Sequence, residues 1–184
     1  NRAMSYMARV TYSYDKRYYL AANFRCDGNS VFGTYSQWGP FGSVGASWNI
    51  HNEKFFRSEK INMLKLKLSY GLTGNSRISS EANGTYTLSQ SYSYKDAAGA
   101  VIGTVPNPGL SWESVHTLNA SVILGLKNIL DVEVEAYQKY TTDMLAKVYV
   151  SRTITDNSVY ANVGKLSNNG IELSLTTYNF NRKD

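Results

Sequence analysis

The sequence has one cysteine, three prolines and two histidines in 184 residues, and each scarcity closes a class of explanation. Cys26 stands alone, so the chain has no internal disulfide and no thiol metal site. His51 and His116 lie far apart in sequence, and a lone histidine is ordinarily structural. No apolar run approaches the roughly 20 residues that a membrane-spanning helix needs. Long windows of helical apolar spacing are absent as well. The net charge is +5, yet the basic residues are spread singly, apart from Asp15–Arg17 and Arg182–Asp184. They form no stripe of the kind that binds nucleic acid. No Ser, His and Asp arrangement marks a nucleophilic triad. Gly71–Asn75 lacks the lysine of a phosphate loop, and Asp27–Ser30 lacks the later acidic ligands of a calcium loop. No catalytic residue, metal site or cofactor is therefore expected, and the chain does not read as an enzyme.

Tyrosine is abundant, with 15 copies, and most of the sequence alternates apolar with polar residues. In the first segment Met4, Tyr6, Ala8, Val10, Tyr12 and Tyr14 share one face, and Ser5, Met7, Arg9, Thr11 and Ser13 share the other. That is the period of a strand, over the roughly 9–11 residues a tilted strand needs to cross a bilayer. The same pattern recurs with Leu20, Ala22, Phe24 and Cys26, then with Val44, Ala46, Trp48 and Ile50, then with Leu64, Leu66, Leu68, Tyr70 and Leu72. It continues through Leu118–Leu124, Leu130–Ala136, Val159–Val163 and Ile171–Leu175, which makes eight strands. Glu53–Asn62 reads as a short helix or an irregular turn at an interface. The gaps are Asp15–Arg17, Gly28–Gly39, His51–Asn62, Thr73–Ser111, Gly125–Ile129, Thr141–Ser158 and Ser167–Asn169, short and long in turn.

An all-β antiparallel meander follows, and two architectures fit it. One is part of a transmembrane β-barrel; the other is a soluble β-sandwich that binds glycans. Two details favour the barrel. The polar faces carry Lys65, Lys67, Glu133 and Glu135 beside Asn119 and Ser121, which suits a wet lumen. Long loops gathered at one end and tight turns at the other are the layout of an outer-membrane barrel. No signal peptide opens the chain, which starts just before a strand and stops in what looks like a turn. Both ends read as cuts through a larger protein.

Seven segments, in order, resemble the SusC/RagA type of TonB-dependent outer-membrane receptor from Bacteroidetes. They are Tyr6–Leu20, Arg25–Gly33, Trp38–Trp48, Leu64–Asn75, Asn107–Glu113, Tyr140–Leu145 and Asn162–Leu173. Leu64–Asn75 is the most specific of them, and Cys26 stands where the family often has arginine. The resemblance implies that residues 1–184 form about eight of the roughly 22 strands of a plugged transporter barrel, without the plug domain or the closing strand. It implies an outer-membrane protein that imports oligosaccharides or peptides, driven through TonB and lidded by a SusD-like lipoprotein. Asp15–Arg17, 125–129 and 167–169 would then face the periplasm, and 28–39, 73–111 and 141–158 the outside.

Candidate contacts to substrate lie in the outer loops: Trp38 and Trp112 for stacking on sugar, and Tyr86, Tyr92 and Tyr94 within the long gap 73–111. Trp38, Trp48 and Trp112 also suit an interfacial girdle, and Cys26 a small lipid-facing position. Lys65 and Lys67 share a face with Asp131, Glu133, Glu135 and Glu172, where ion pairs would brace the wall. Outer-membrane lipid is the remaining partner expected.

Overall fold

The computed structural model describes residues 2–33, 36–76, 85–94, 97–127, 129–149 and 158–178, the side chains at 85, 87, 89–94, 97–98 and 101–104 excluded. Seven strands form one antiparallel sheet. They are β1 (Ala3–Tyr14), β2 (Tyr18–Asn29), β3 (Trp38–Asn49), β4 (Ile61–Asn75), β7 (Glu113–Leu126), β8 (Leu130–Thr142) and β11 (Leu166–Thr177), in that spatial order. Two hairpins are inserted at one end: β5 (Thr85–Tyr94) with β6 (Ala97–Thr104), and β9 (Leu145–Tyr149) with β10 (Ser158–Asn162). The order is that of a meander, so each wall strand pairs with its neighbours along the chain once the hairpins are set aside.

The alternation survives registration across the whole sheet. Tyr12 pairs with Leu20, Leu20 with Ala46, Ala46 with Leu68, Leu68 with Ala120, Ala120 with Ala136, and Ala136 with Ile171. Partners in register point to the same side, so these residues make one row of a single apolar face. That face is open: Leu68 is 56% exposed and Ile171 78%. Among the described residues no second sheet covers it, so the sandwich alternative fails. Trp48 and Trp38 stand on this face near the two ends of β3. Ten residues of strand span about 33 Å, or about 25 Å along the normal at a tilt near 40°. Tyr18 stacks beside Trp48 at 6.2 Å and Tyr6 beside Trp38 at 6.0 Å, which gives the face an aromatic border at each level.

Turn chemistry fixes the register. Asp15 and Lys16 both take positive φ, 49° and 52°, and Arg17 N–H donates to Tyr14 O at 2.9 Å. That is the hand of turn whose twist matches a hairpin's strands. The turns 15–17 and 50–60, with Lys127 and Ile129, occupy one end of the sheet, and 30–33, 36–37, 105–112, 143–149 and 158–165 the other.

The structure corrects several expected boundaries. Seven strands rather than eight build the wall. The expected turn at Ser167–Asn169 lies inside β11, where Asn169 pairs with Gln138 and Asn168 with Lys139. Strand β10 pairs with β9, not with β11. The strands run past the apolar band at that end, so polar residues there continue the ladder while looking like a loop. The long gap 73–111 begins later, after Asn75, and contains β5 and β6. The expected helix or turn at Glu53–Asn62 is an irregular turn over 53–60; the 3-10 turn Ile50–Asn52 lies just before it, and β4 has already begun at Ile61.

Replacing Leu68 with Lys places a charge midway along β4 on the apolar face. It should destabilise the folded barrel by about 2–4 kcal/mol, whereas Ser69→Lys on the opposite face should have little effect. Urea titration of the full-length protein, scored by heat-modifiable gel mobility, measures both.

Candidate functional site

The polar face of the sheet is built from short side chains. Gly45 pairs with Ser69, Ser43 with Gly71, Ser47 with Lys67, and Lys67 with Ser121. Ala21, Asn119 and Thr11 extend the same surface, which forms an open trough of about 600 Å³. Charges sit toward the short-turn end of this trough. Lys67 Nζ donates to Glu133 Oε1 at 2.6 Å, and Lys65 Nζ lies 5.8 Å from the centre of the Tyr19 ring. The Lys67–Glu133 pair braces β4 and β8 across β7, as expected of inward charges. Its groups are 39% and 33% exposed, so it contributes about 1 kcal/mol or less.

At the long-loop end three connections are bound into one shelf. Past the Gly42–Leu72 pair no register joins β3 and β4, and the Phe41 ring fills the seam. Gly74 makes room for it, since a Cβ there would overlap the ring. Trp112 packs edge-on to Phe41 at 5.3 Å and against Phe32 at 4.6 Å. Val31, Phe32 and Leu110 are buried together, with Leu110 fully enclosed, and Leu145 and Tyr160 pack on them. Gly33 sits so close to the Pro108 carbonyl that no side chain fits. Side-chain amides then imitate strand pairing. Asn162 Oδ1 accepts from Ser111 N–H at 2.8 Å, and its Nδ2 donates to Ser111 O and to Asp143 O, each at 2.9 Å. Asn107 Nδ2 donates to Tyr160 O at 2.7 Å. Glu113 accepts from Asn75 Nδ2 and from Leu145 N–H, at 3.2 and 3.1 Å.

The short-turn end has its own anchor. Glu53 is buried to 9% exposure and accepts from Tyr18 Oη at 2.6 Å, from Trp48 Nε1 at 2.9 Å and from Arg17 at 3.2 Å. The Tyr18 hydroxyl, the indole N–H and the Arg17 guanidinium hold its carboxyl below the usual carboxylate range. Asn49 and Asn52 both donate to Lys16 O, at 2.9 and 2.8 Å, which locks the turn 50–60 to the turn 15–17.

The expected contact residues are dispersed among these features. Trp38 stands on the apolar face, its ring lying over Gly28. Trp112 belongs to the packed shelf. Tyr86 is 79% exposed on β5. The backbones of Tyr92 and Tyr94 belong to the same strand, and their side chains lie outside the described set. Asn162, Asn107 and Glu113 hold the shelf yet carry no signal of their own, because each acts through a backbone group distant in sequence. In the sequence, Asn107–Glu113 and Asn162–Leu173 stand out only as segments of the resemblance. Among the described residues no three His, Cys, Asp or Glu side chains gather as a metal-binding group.

A family model described as TonB dependent receptor-like, beta-barrel matches residues 1–182. TonB-dependent receptor P39 of Formosa agariphila is 35% identical over 173 residues, covering 93% of this chain and 17% of that protein. TonB-dependent receptor SusC of Bacteroides thetaiotaomicron is 29% identical over 193 aligned positions, covering 100% of this chain and 19% of that protein. Among solved structures, the RagAB peptide importer in its closed-closed state superposes with a TM-score of 0.89 and 35% identity. That match covers 99% of this chain and 20% of the other. The chain thus spans about a fifth of the length of the proteins it matches.

Leu110→Ala should cost about 2–5 kcal/mol and loosen the shelf. The readout is faster proteolysis at the long-loop end with the heat-modifiable shift retained; unchanged resistance would deny the shelf its role. The Glu53 carboxyl is held low in the folded state, so its stabilisation is present above the unfolded carboxylate range and is lost as pH falls through the folded value. The melting temperature of the full-length protein should therefore fall more steeply between pH 7 and pH 3 than that of Glu53→Gln.

Proposed function

The chain belongs to the TonB-dependent receptor-like β-barrel family, and from that premise we propose that residues 1–184 are one stretch of wall in a SusC/RagA-type importer. Barrels of this family lie in the outer membrane and belong to receptors, not to enzymes. The observation that carries the reading is the apolar face kept in register over seven strands, with connections of unequal size at its two ends.

The solute we assign is an oligosaccharide or a peptide. Ser47, Ser69 and Asn119 offer neutral hydrogen-bonding groups at the middle of the trough, which suits a hydrated, uncharged backbone of either kind. The structural relative named a peptide importer supports the peptide branch by analogy. A SusD-like lipoprotein would close over the long-loop end, and TonB would act through parts of the protein beyond this stretch. The turns 15–17, 50–60 and 127–129 would face the periplasm. Of the residues expected to touch solute, Tyr86, Tyr92 and Tyr94 belong to the β5–β6 hairpin, which is not part of the wall sheet. We assign them to contact with solute or lid. Trp112 positions the shelf beneath, and Trp38 is a belt residue.

Deleting residues 77–104 while keeping Asn107–Trp112 removes the β5–β6 hairpin without opening the buried cluster. The expected outcome is weaker solute uptake or weaker lid docking, with normal heat-modifiable assembly. Uptake and docking at the unmodified level would sink the assignment of this hairpin.

A further inference from the structure

We propose that the short-turn end carries a binding site for the headgroup of an anionic phospholipid, centred on residues 53–60. This inference rests on the reading of the sheet as barrel wall with its short turns at the periplasmic leaflet. Two independent observations meet there. The first is a cationic excess. Lys16, Lys54, Arg57, Lys60 and Lys127 are all exposed, and among the described residues none of them makes an ion pair. The nearby acids are mostly engaged: Asp15 and Glu53 both pair with Arg17, and Asp131 accepts from the Tyr178 hydroxyl at 3.0 Å. Glu59 is the remaining exposed acid of the turn.

The second observation is an apolar side chain that the fold leaves at the membrane's edge. Phe55 is 70% exposed, and its ring meets Trp48 edge-on at 6.5 Å. Trp48 stands on the apolar face, in register with Tyr18 and Leu66. Phe55 therefore extends the lipid-facing surface into the turn, directly beside Lys54 in sequence. A phospholipid has the matching anatomy: acyl chains against Trp48 and Phe55, and a phosphate within reach of the exposed cations. A soluble anion would match the charges and leave Phe55 without a counterpart.

The backbone that carries the cations is held in place. Glu53 fixes the start of the turn through Tyr18, Trp48 and Arg17. Lys127 N–H donates to Lys60 O at 3.0 Å, which ties the far end of the turn to the next one along the rim. The turn is thus ordered before binding, which favours affinity.

The full-length protein in detergent, titrated with an equal mixture of phosphatidylglycerol and phosphatidylcholine, tests the site by native mass spectrometry. Phosphatidylglycerol adducts should outnumber phosphatidylcholine adducts by about tenfold or more. The triple variant Lys54→Gln, Arg57→Gln, Lys60→Gln should bring that ratio close to one, and Phe55→Ala should lower both adducts alike. Equal retention of the two lipids by the unmodified protein, or a preference that survives the triple substitution, would overturn the proposal. A preference for lipid A over phosphatidylglycerol would overturn it too, by placing this end at the outer leaflet. Heat-modifiable mobility, read on the same samples, separates the two levels. A retained shift without lipid preference removes the site alone, and an absent shift in the unmodified protein removes the barrel reading beneath it.

Discussion

Within hydrocarbon a backbone N–H or C=O has no water to turn to, and every such group must find its partner along the neighbouring strand. The rest of the sheet follows from that constraint. A ladder satisfied in full leaves no freedom of register, because a slip of one residue would turn a whole strand's apolar side chains toward the lumen. The rows running from Tyr12 to Ile171 and from Tyr18 through Trp48, Leu66, Val122 and Val134 to Leu173 show seven strands obeying one parity. Each added strand inherits its parity from the last, so the turns that set the first registers have influence well beyond their size.

The two ends of the sheet solve different problems with similar means. At the short-turn end, turns 15–17 and 50–60 are joined by a buried carboxylate, two asparagine amides and an aromatic pair. At the long-loop end, much longer connections need a small hydrophobic core of their own, made from Val31, Phe32 and Leu110 and roofed by Trp112. Neither face of a barrel strand supplies that core, since one meets lipid and the other meets water. Among the described residues the buried apolar side chains are accordingly few, and Val31, Phe32, Phe41 and Leu110 collect at the long-loop end.

The wall strands were legible in the sequence because their signal is local: one side chain in two faces the apolar side, whatever the rest of the protein does. Leu64–Leu72 alternates in the sequence just as it does in the sheet. Legibility failed where the solvent changes. Ser167, Asn168 and Asn169 interrupt the apolar alternation with three polar residues in a row, so the start of β11 looked like a turn and its partner was misjudged. The shelf was illegible for another reason. Phe32, Leu110 and Asn162 come from three connections, and only the folded wall brings them together. Trp112 illustrates the ambiguity of aromatic residues near strand ends, where girdle, ligand platform and core have the same sequence signature.

Rigidity follows from the same ladder and sets where change within this chain has low cost. Bending the wall breaks inter-strand hydrogen bonds many at a time, and the amide links of Asn162 and Asn107 carry the shelf along with the wall. The β5–β6 and β9–β10 hairpins are different: each pairs only within itself, and neither is a rung of the main sheet. A hairpin alone is marginal in water, so its position is set by what it packs against. The β9–β10 hairpin is tied to the shelf through Leu145, Tyr160 and Asn162, whereas β5–β6 carries Tyr86 and Leu88 exposed at 79% and 74%. On the reading proposed above, this exposed apolar pair is a surface that a lid or solute would cover.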